Sequence, residues 1–174
     1  MNEQPNILVI IPARGGSKGI PRKNLRSLAG RPLIYYSIMN ALSSRYKLDI
    51  YVSSEDEEIL SISEKFGAKV LMRDAHDAED AVTLDPVIFS ALKNVENIEN
   101  KKYDLVVTLQ PTSPLVTANS LDKAISQLIN TQETDTIISA VNDTHLTWKL
   151  ENERYKPNYA KRVNRQELTP VFRE

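Results

Sequence analysis

The sequence predicts an α/β fold in which helices cover both faces of a mainly parallel sheet. Along the first 141 residues, short runs rich in Ile and Val alternate with segments whose apolar residues recur at helical intervals. The chain has 174 residues, 41% hydrophobic and 26% charged, which suits a domain with one core. The polar, weakly periodic remainder, residues 142–174, is expected to form a hairpin or extended arm.

The predicted elements of the first half begin with a strand between Pro5 and Pro12. Pro32 stands near the first turn of the following helix, where its fixed φ and missing N–H are tolerated. Gly67 is expected to end the second helix, whose acidic first turn, the sequence EDEE, suits the helix dipole. In order, the elements are strand 6–11, helix 31–44, strand 49–54, helix 55–69 and strand 69–73.

The second half is predicted to continue the alternation. Asp85 is expected to cap a helix in which Pro86 takes the first helical position. The strand over residues 104–110 is the most hydrophobic one and is expected to be the most buried. In order, the elements are helix 84–96, strand 104–110, helix 117–131 and strand 135–141.

Composition excludes several classes of function. With Lys+Arg 22 and Asp+Glu 23 the net charge is -1, so no overall positive field favours a nucleic-acid partner. The absence of Cys excludes disulfides, zinc thiolates and a thiol nucleophile. No apolar run approaches the ~18 residues of a membrane span, and the N-terminus lacks a signal-peptide pattern. We therefore expect a soluble, cytoplasmic protein with no membrane partner.

Three polar segments follow predicted strands, where open parallel sheets bind their ligands. These segments are residues 12–24, 53–55 and 110–114. The first combines glycines, which let backbone N–H groups converge on an anion, with cationic side chains; these residues are Gly15, Gly16, Gly19, Arg14, Lys18 and Lys23. It matches neither the ATPase nor the dinucleotide glycine pattern. A solvated surface turn is the alternative, and the position after a buried strand favours an anion site.

The stretch IPARGGSKGIPRKN, residues 11–24, resembles the N-terminal signature of the acylneuraminate cytidylyltransferases, the CMP-sialic acid synthetases. The similarity continues in collinear order through AGRPLIYYSI, VSSEDEEI, FGAKVLMR, LDPV, LQPTSPL and RQELTPVFRE. It implies a Rossmann-like nucleotidyltransferase fold of the nucleotide-diphospho-sugar transferase type. The nucleotide-binding domain would span residues 1–141, and residues 142–174 would form a protruding arm for dimerisation and substrate binding.

The resemblance also implies a reaction. The anomeric hydroxyl of a 2-keto sugar acid, N-acetylneuraminate or a close relative, attacks the α-phosphate of CTP and gives a CMP-sugar and pyrophosphate. Mg²⁺ is the expected cofactor, and the protein is expected to be a homodimer. Enzymes that activate the eight-carbon sugar Kdo have Arg-Leu-Pro in the first loop where this chain has Lys-Gly-Ile-Pro, and this difference favours a nine-carbon acid.

The nucleotide-binding residues are implied by the same resemblance. Arg14 and Lys18 match catalytic positions that hold the triphosphate and stabilise the pyrophosphate leaving group. Arg73 matches a residue that reaches the cytosine and phosphate region, and Thr83 is expected at the base edge. The full set is Ala13, Arg14, Gly15, Gly16, Ser17, Lys18, Lys23, Asn24, Arg73 and Thr83.

The substrate-binding residues come from two parts of the chain. The neutral side chains of the QPTSP segment suit a polyol, although they could instead cap a turn between Pro111 and Pro114. Lys149 and Arg173 match positions that approach the sugar and its carboxylate, for which a guanidinium is well suited. Residues 165 and 166 match a segment that the family delivers from the partner subunit. The full set is Gln110, Thr112, Ser113, Lys149, Arg165, Gln166 and Arg173.

Two departures from the family pattern leave alternatives open. Val116 stands where many relatives have Arg. Relatives also continue beyond FRE with the aspartates that bind the catalytic magnesium, and no D-x-D occurs in this sequence, so a C-terminally truncated synthetase is expected. The alternatives are a CMP-legionaminate or CMP-pseudaminate synthetase and a non-catalytic nucleotide-binding module. A glycosyltransferase is less favoured, because such enzymes typically hold their metal with D-x-D.

Overall fold

The computed structural model describes residues 4–17, 19–74 and 83–173, and of Arg165 only the backbone. The chain divides into two compact units, Met1–Gln127 and Leu128–Glu174. In chain order the first unit contains β1 (Ile7–Pro12), a 3-10 turn (Lys23–Leu25), β2 (Ser27–Leu28), β3 (Arg31–Pro32), α1 (Leu33–Leu42), β4 (Leu48–Ser54), α2 (Glu57–Lys65), β5 (Lys69–Met72), α3 (Leu84–Glu99), β6 (Leu105–Thr108) and most of α4 (Ala118–Asn130).

The strands β1, β4, β5 and β6 form one parallel sheet with the order β5-β4-β1-β6. Each strand is followed by a helix, so the chain returns across a face of the sheet before it adds the next parallel strand. The order places β1 inside the sheet, with a ladder partner on each side. The α/β fold with a parallel sheet is therefore confirmed.

The core explains why helices cover both faces. Alternate residues of β1 point to opposite sides of the sheet. Val9 and Ile11 pack against α1 and α2, and Ile7 packs against α4, whereas Leu8 and Ile10 pack against α3. All five side chains are buried, and each stabilises the fold by roughly 1.5–3 kcal/mol.

The prediction that residues 104–110 form the most buried strand is wrong. The strand is shorter, Leu105–Thr108, and occupies an edge of the sheet, with Val106 37% exposed. An edge strand has one ladder partner, and its side chains are buried only where a helix covers them. Position in the sheet, rather than hydrophobicity, therefore makes β1 the most buried strand.

Two further expectations are corrected. Asp85 does not cap α3: the helix begins at Leu84 with Thr83 at the N-cap, and Asp85 lies in the first turn, where its charge favours the helix dipole. Residues 135–140 form no strand, and Val141 alone belongs to one. β-branched residues favour a strand only where a ladder partner and a buried face exist, and Ile138 is 62% exposed.

The second unit contains the hairpin that the polar region was expected to form. Its strands are β7 (Val141–Asn142), β8 (Trp148–Glu151), β9 (Arg154–Pro157) and β10 (Phe172–Arg173), with a 3-10 turn at Arg165–Glu167. β8 and β9 pair antiparallel through a two-residue turn, Asn152 and Glu153, both with positive φ, as such hairpin turns require. β7 pairs antiparallel with β10.

None of the helices in the described ranges combines the length and the apolarity needed to cross a lipid bilayer.

Candidate functional site

The strand order of the sheet reverses between β1 and β6. The chain builds the sheet outward from β1 through β4 to β5 and then adds β6 on the other side of β1. In open α/β sheets, ligands bind where the strand order reverses in this way. Two segments leave the sheet at that point: residues 13–24, the β1 loop, and residues 109–117, the β6 loop.

Two hydrogen bonds support the β1 loop, one to the sheet and one within the loop. The Ala13 N–H donates to the Ser53 carbonyl at 2.9 Å. At the other end, Asn24 is 4% exposed, and its side-chain amide donates to the Arg14 carbonyl at 2.9 Å. Asn24, expected at the nucleotide, therefore folds the loop back on itself in this structure.

Arg22 provides a third attachment for the β1 loop. Its backbone is left-handed, with φ 54°, and it precedes the 3-10 turn Lys23–Leu25. Its guanidinium binds Asp56 at 2.7 Å and Glu58 at 2.5 Å. Asp56 also caps α2, because its carboxylate accepts from the N–H groups of Glu58 and Ile59. One carboxylate thus holds both the loop and the start of a helix.

Glu55 connects the β1 loop to the end of β5. Its Oε1 accepts from the Gly15 N–H at 2.7 Å, and its Oε2 accepts from Arg73 Nη2 at 2.9 Å and Nε at 3.2 Å. Burial opposes ionisation, but hydrogen bonds from the N–H groups of Glu55 and Gly15 and from Arg73 outweigh it and lower the pKa of Glu55. The carboxylate is therefore ionised at neutral pH, and it links two residues of the expected nucleotide-binding set.

The glycines of the β1 loop are not equivalent. A Cβ added at Gly15 would lie 2.4 Å from Asp56 Oδ2. Among the described residues, apart from the glycine and its chain neighbours, no atom lies within 4 Å of a Cβ added at Gly16 or Gly19. Gly15 is needed because the loop passes directly over the N-cap of α2. Its N–H is used by Glu55, so the expectation that it points at a bound anion does not hold in this structure.

The cationic side chains of the β1 loop differ in whether a carboxylate balances their charge. The charge of Arg22 is balanced by Asp56, whose pKa is lowered because hydrogen bonds from Arg22 and the α2 backbone outweigh its partial burial. Lys23 is half-buried, and among the described residues its ammonium group makes no ion pair. Lys18 lies outside the described residues. The ammonium group of Lys23, unpaired among the described residues, is therefore available to bind an anion.

The β6 loop continues along β1 and then turns. The Leu109 N–H donates to the Ile10 carbonyl at 3.0 Å, and backbone hydrogen bonds from Ser113 to Gln110 and from Val116 to Ser113 close the turn. The side chains of Gln110, Thr112 and Ser113 are exposed and make no hydrogen bond to a described residue. Because backbone groups close this turn, these side chains are not used to cap it and can bind a ligand.

The hydroxyl groups of two serines and a threonine differ in their surroundings. Ser53 is fully buried, and its hydroxyl has no partner among the described residues. Ser17 is half-buried, and its N–H donates to the Gly15 carbonyl at 3.0 Å. Thr83 is the exposed N-cap residue of α3, and its side chain makes no capping hydrogen bond. An unpaired buried hydroxyl such as that of Ser53 is uncommon in proteins.

The remaining expected substrate residues lie in the second unit. Lys149 in β8 pairs with Glu151 at 2.6 Å, and Arg173 in β10 pairs with Asp143 at 3.1 Å. Gln166 is exposed in the 3-10 turn, and the side chain of Arg165 lies outside the described part of the chain. In the first unit, by contrast, expected nucleotide-binding residues are joined by hydrogen bonds. Asn24 donates to Arg14, and Gly15 and Arg73 both donate to Glu55.

The residues in the described ranges include no group of three or more His, Cys, Asp or Glu side chains that could hold a metal ion. Carboxylates do gather near the β1 loop, but Glu55, Asp56 and Glu58 are each engaged by an arginine.

Comparisons with known proteins identify the family of the chain. A family model described as "Cytidylyltransferase" matches residues 8–174. The chain is 43% identical to a pseudaminic acid cytidylyltransferase of Campylobacter jejuni over 72% of the chain and 54% of that protein. It is 34% identical to N-acylneuraminate cytidylyltransferase A of Danio rerio over 83% of the chain and 32% of that protein. The chain thus spans about half or less of the length of these curated relatives.

Among solved structures, a 4-diphosphocytidyl-2C-methyl-D-erythritol synthase of Anaerococcus prevotii superposes with a TM-score of 0.66. The match covers 97% of this chain and 68% of the other at 17% identity. At that identity, the similarity shows a shared fold.

Proposed function

Because the chain belongs to the cytidylyltransferase family, we propose that it binds CTP between the β1 and β6 loops and activates a nine-carbon 2-keto sugar acid. The anomeric oxygen of the acid forms a bond to the α-phosphorus, the α–β phosphoanhydride bond breaks, and pyrophosphate leaves. The products are the CMP-sugar and pyrophosphate. The hydroxyl proton passes to solvent or to a base that the described residues do not identify.

The observation that carries this proposal is the position and support of the β1 loop. The loop begins where the strand order reverses, and its described residues are attached by hydrogen bonds from Asn24 and Ala13 and by the Arg22–Asp56 ion pair. An anion-binding loop held before ligand arrives loses less conformational freedom on binding. Residues 14–18 and Lys23 would then contact the triphosphate, with Arg14 and Lys18 stabilising the leaving group.

The reaction type suits the side chains that are present. Transfer at phosphorus depends mainly on positioning and on stabilisation of charge, so a protein nucleophile is not required. The chain has no Cys, and the proposal assigns no covalent intermediate. Arg14, Lys18 and Lys23 supply the positive charge, and Arg73 and Thr83 are assigned to the nucleotide beyond the phosphates.

The polyol of the acceptor is assigned to the β6 loop. The free hydroxyls and amide of Gln110, Thr112 and Ser113 suit a polyol. Lys149 and Arg173 are assigned to the sugar and its carboxylate, and Arg165 and Gln166 to the site of a partner copy in a homodimer. Pseudaminate is a second candidate acceptor, because a relative 43% identical to this chain is named for it.

Magnesium and a cytoplasmic location remain part of the proposal. A divalent cation would neutralise charge on the triphosphate when bound. The described residues do not form a three-ligand cluster for it, so no step of the reaction is assigned to the cation.

Titration calorimetry of the chain with CTP and Mg²⁺ tests the nucleotide part of the proposal. We expect CTP to bind and the double variant Arg14→Ala/Lys18→Ala to lose that binding. Lys65→Ala/Lys123→Ala is the matched control, because it removes two exposed cations from α2 and α4. The proposal fails if CTP does not bind, or if the two double variants bind it equally well. ATP in place of CTP should bind more weakly.

A substrate panel tests the acceptor. Formation of a CMP-sugar is measured with N-acetylneuraminate, pseudaminate and legionaminate, and the acid used fastest identifies the acceptor. CTP binding without product from any of the three would favour a non-catalytic nucleotide-binding module instead.

A further inference from the structure

Glu55 lies between two residues that the proposed function assigns to the nucleotide. One carboxylate oxygen binds the Gly15 amide in the β1 loop, and the other binds the Arg73 guanidinium after β5. Gly15 and Arg73 follow β1 and β5, which do not pair with each other, because β4 lies between them. Glu55 follows β4, so its carboxylate joins the segment after β1 to the segment after β5.

The bridge is substantially shielded from solvent. The side chain of Arg73 is 7% exposed, and that of Glu55 is 18% exposed. Arg73 offers two nitrogens, Nη2 and Nε, to the same carboxylate oxygen, so the orientation of the guanidinium plane is set by Glu55. The Arg73 N–H also donates to the Ser54 carbonyl at 3.1 Å, which holds the backbone beneath it.

The simpler interpretation, that Glu55 serves the dipole of α2, does not fit its contacts. The first-turn N–H groups of α2 are accepted by Asp56, which is the N-cap residue. Glu57 and Glu58 supply the acidic charge of the first turn. Glu55 precedes the helix, and its carboxylate turns to the β1 loop and to Arg73 instead.

We propose that Glu55 is a positioning residue for nucleotide binding, which holds the Gly15 segment of the β1 loop and the Arg73 guanidinium at a fixed separation. The inference rests on the proposed function, since the two held groups are those assigned to the nucleotide. Glu55 itself carries the same sign of charge as a triphosphate and contacts it nowhere in this scheme. Its contribution to affinity is therefore made through its two partners.

The first test compares CTP affinity in Glu55→Gln and Glu57→Gln. Both variants remove one negative charge near the start of α2, but Glu57 is exposed and makes no ion pair among the described residues. We expect Glu55→Gln to weaken CTP binding about tenfold, the loss that follows when a charge-assisted hydrogen bond is removed. Glu57→Gln should bind as the wild type does or slightly better. Equal or tighter binding by Glu55→Gln would overturn the inference, since removal of a repelling charge would then be its main effect.

The second test is a double-mutant cycle with Arg73→Lys. If Glu55 acts by orienting Arg73, the affinity lost in Arg73→Lys should be much smaller in the Glu55→Gln background than in the wild type. If Glu55 only stabilises the fold, the two losses multiply independently and the inference fails. Urea unfolding of all variants, run alongside, confirms that each titration reports on folded protein.

Glu55→Asp covers the case in which Glu55→Gln does not fold. It keeps the charge but shortens the side chain by one methylene, so the carboxylate cannot reach both partners, and the same loss of affinity is expected. Wild-type affinity in Glu55→Asp would overturn the inference. The two proposals fail differently: if the wild-type chain does not bind CTP, the proposed function fails and the inference falls with it. If the wild type binds CTP and the Glu55 variants bind equally well, the inference alone fails.

Discussion

At the carboxyl ends of the strands, Glu55 binds a backbone amide and a guanidinium, whereas at the amino ends Asp49 binds three side chains. Asp49 accepts from Lys101 at 2.6 Å, the Tyr103 hydroxyl at 3.0 Å and Lys69 at 3.3 Å. Lys69 also pairs with Glu99, which accepts from the Tyr51 hydroxyl at 2.5 Å. Burial is the main cause that raises the pKa of Tyr51 to about 12, and the hydrogen bond to Glu99 is the second. The hydroxyl therefore remains a donor at neutral pH.

The two ends differ in what their carboxylates hold. At the amino ends, every partner of Asp49 and Glu99 is a side chain of a neighbouring element, so the network joins β4, β5, α3 and the segment before β6. At the carboxyl ends, Glu55 and Asp56 hold the β1 loop through Gly15 and Arg22. We therefore expect changes at the amino ends to alter stability alone, and changes at the carboxyl ends to alter nucleotide binding as well.

Gly15→Ala is expected to have the largest effect and to test the carboxyl end. Its Cβ would lie 2.4 Å from Asp56 Oδ2, so either the β1 loop or the N-cap of α2 must move. CTP binding should weaken about tenfold or more, and the free energy of unfolding should fall by about 1–3 kcal/mol through overpacking and a disturbed cap. Titration calorimetry and urea unfolding measure the two effects.

Gly16→Ala is the matched control for stability, because no described residue other than its chain neighbours has an atom within 4 Å of the added Cβ. A Gly15→Ala variant as stable as Gly16→Ala would contradict the close packing of the loop on Asp56.

Asp49→Asn should have an intermediate effect, confined to stability. It removes the charge that pairs with Lys101 and Lys69, and the Asp49 side chain is 23% exposed. After allowance for the partial exposure of both lysines, we expect the free energy of unfolding to fall by about 1–2 kcal/mol, with CTP affinity unchanged. Glu64→Gln, an exposed carboxylate of α2, is the control. A loss of CTP affinity in Asp49→Asn would break the division between the two ends.

The pH dependence of Asp49→Asn sharpens the same prediction. Burial opposes ionisation, but hydrogen bonds from Lys101, Tyr103 and Lys69 lower the pKa of Asp49 below its usual value. A carboxyl whose pKa is lowered by folding stabilises the protein above its unfolded pKa of about 3.9, and that contribution is lost as pH falls through the folded pKa. The difference in unfolding free energy between wild type and variant should therefore be constant at neutral pH and shrink below about pH 4. A difference that persists undiminished in acid would show that packing, not charge, is responsible.

Glu58→Gln should have the smallest effect. Glu58 shares Arg22 with Asp56, but its side chain is 63% exposed and Arg22 is 47% exposed. A pair this exposed is expected to contribute little to the free energy of unfolding, because solvent and salt screen it. Urea unfolding at low and high salt measures this contribution, and a loss of stability as large as that of Asp49→Asn would mean that Glu58, rather than Asp56, holds Arg22 in place.

Most of the sheet could be predicted because strand and helix periods are local properties of the sequence. The predicted ranges overlap the observed elements, which are strands 7–12, 48–54 and 69–72 and helices 33–42 and 57–65. The two strands that were predicted wrongly are those whose pairing or burial depends on neighbouring elements. Residues 135–141 carry the composition of a strand but gain a partner only at Val141, and β6 is hydrophobic yet lies at an edge.

The candidate site was predictable in its segments but not in its contacts. The sequence identifies residues 12–24, 53–55 and 110–114 as the segments at the carboxyl ends of strands, and the structure places them there. It assigns the whole acidic run EDEE to the helix dipole, whereas Asp56 caps α2 and Glu55 holds Gly15 and Arg73. No local signal distinguishes these two adjacent carboxylates, because the partners of Glu55 are 40 and 18 residues away.

By itself, the sequence determined that this protein alternates strands with helices, that a cationic, glycine-rich loop follows its first strand, and that it resembles the cytidylyltransferases. The tertiary structure alone decided that β1 lies inside the sheet between two partner strands. It also decided that packing requires a glycine at position 15, and that Glu55 joins the β1 loop to Arg73. The physical reason is that local periodicity specifies the elements, whereas strand order and register decide which distant residues become neighbours.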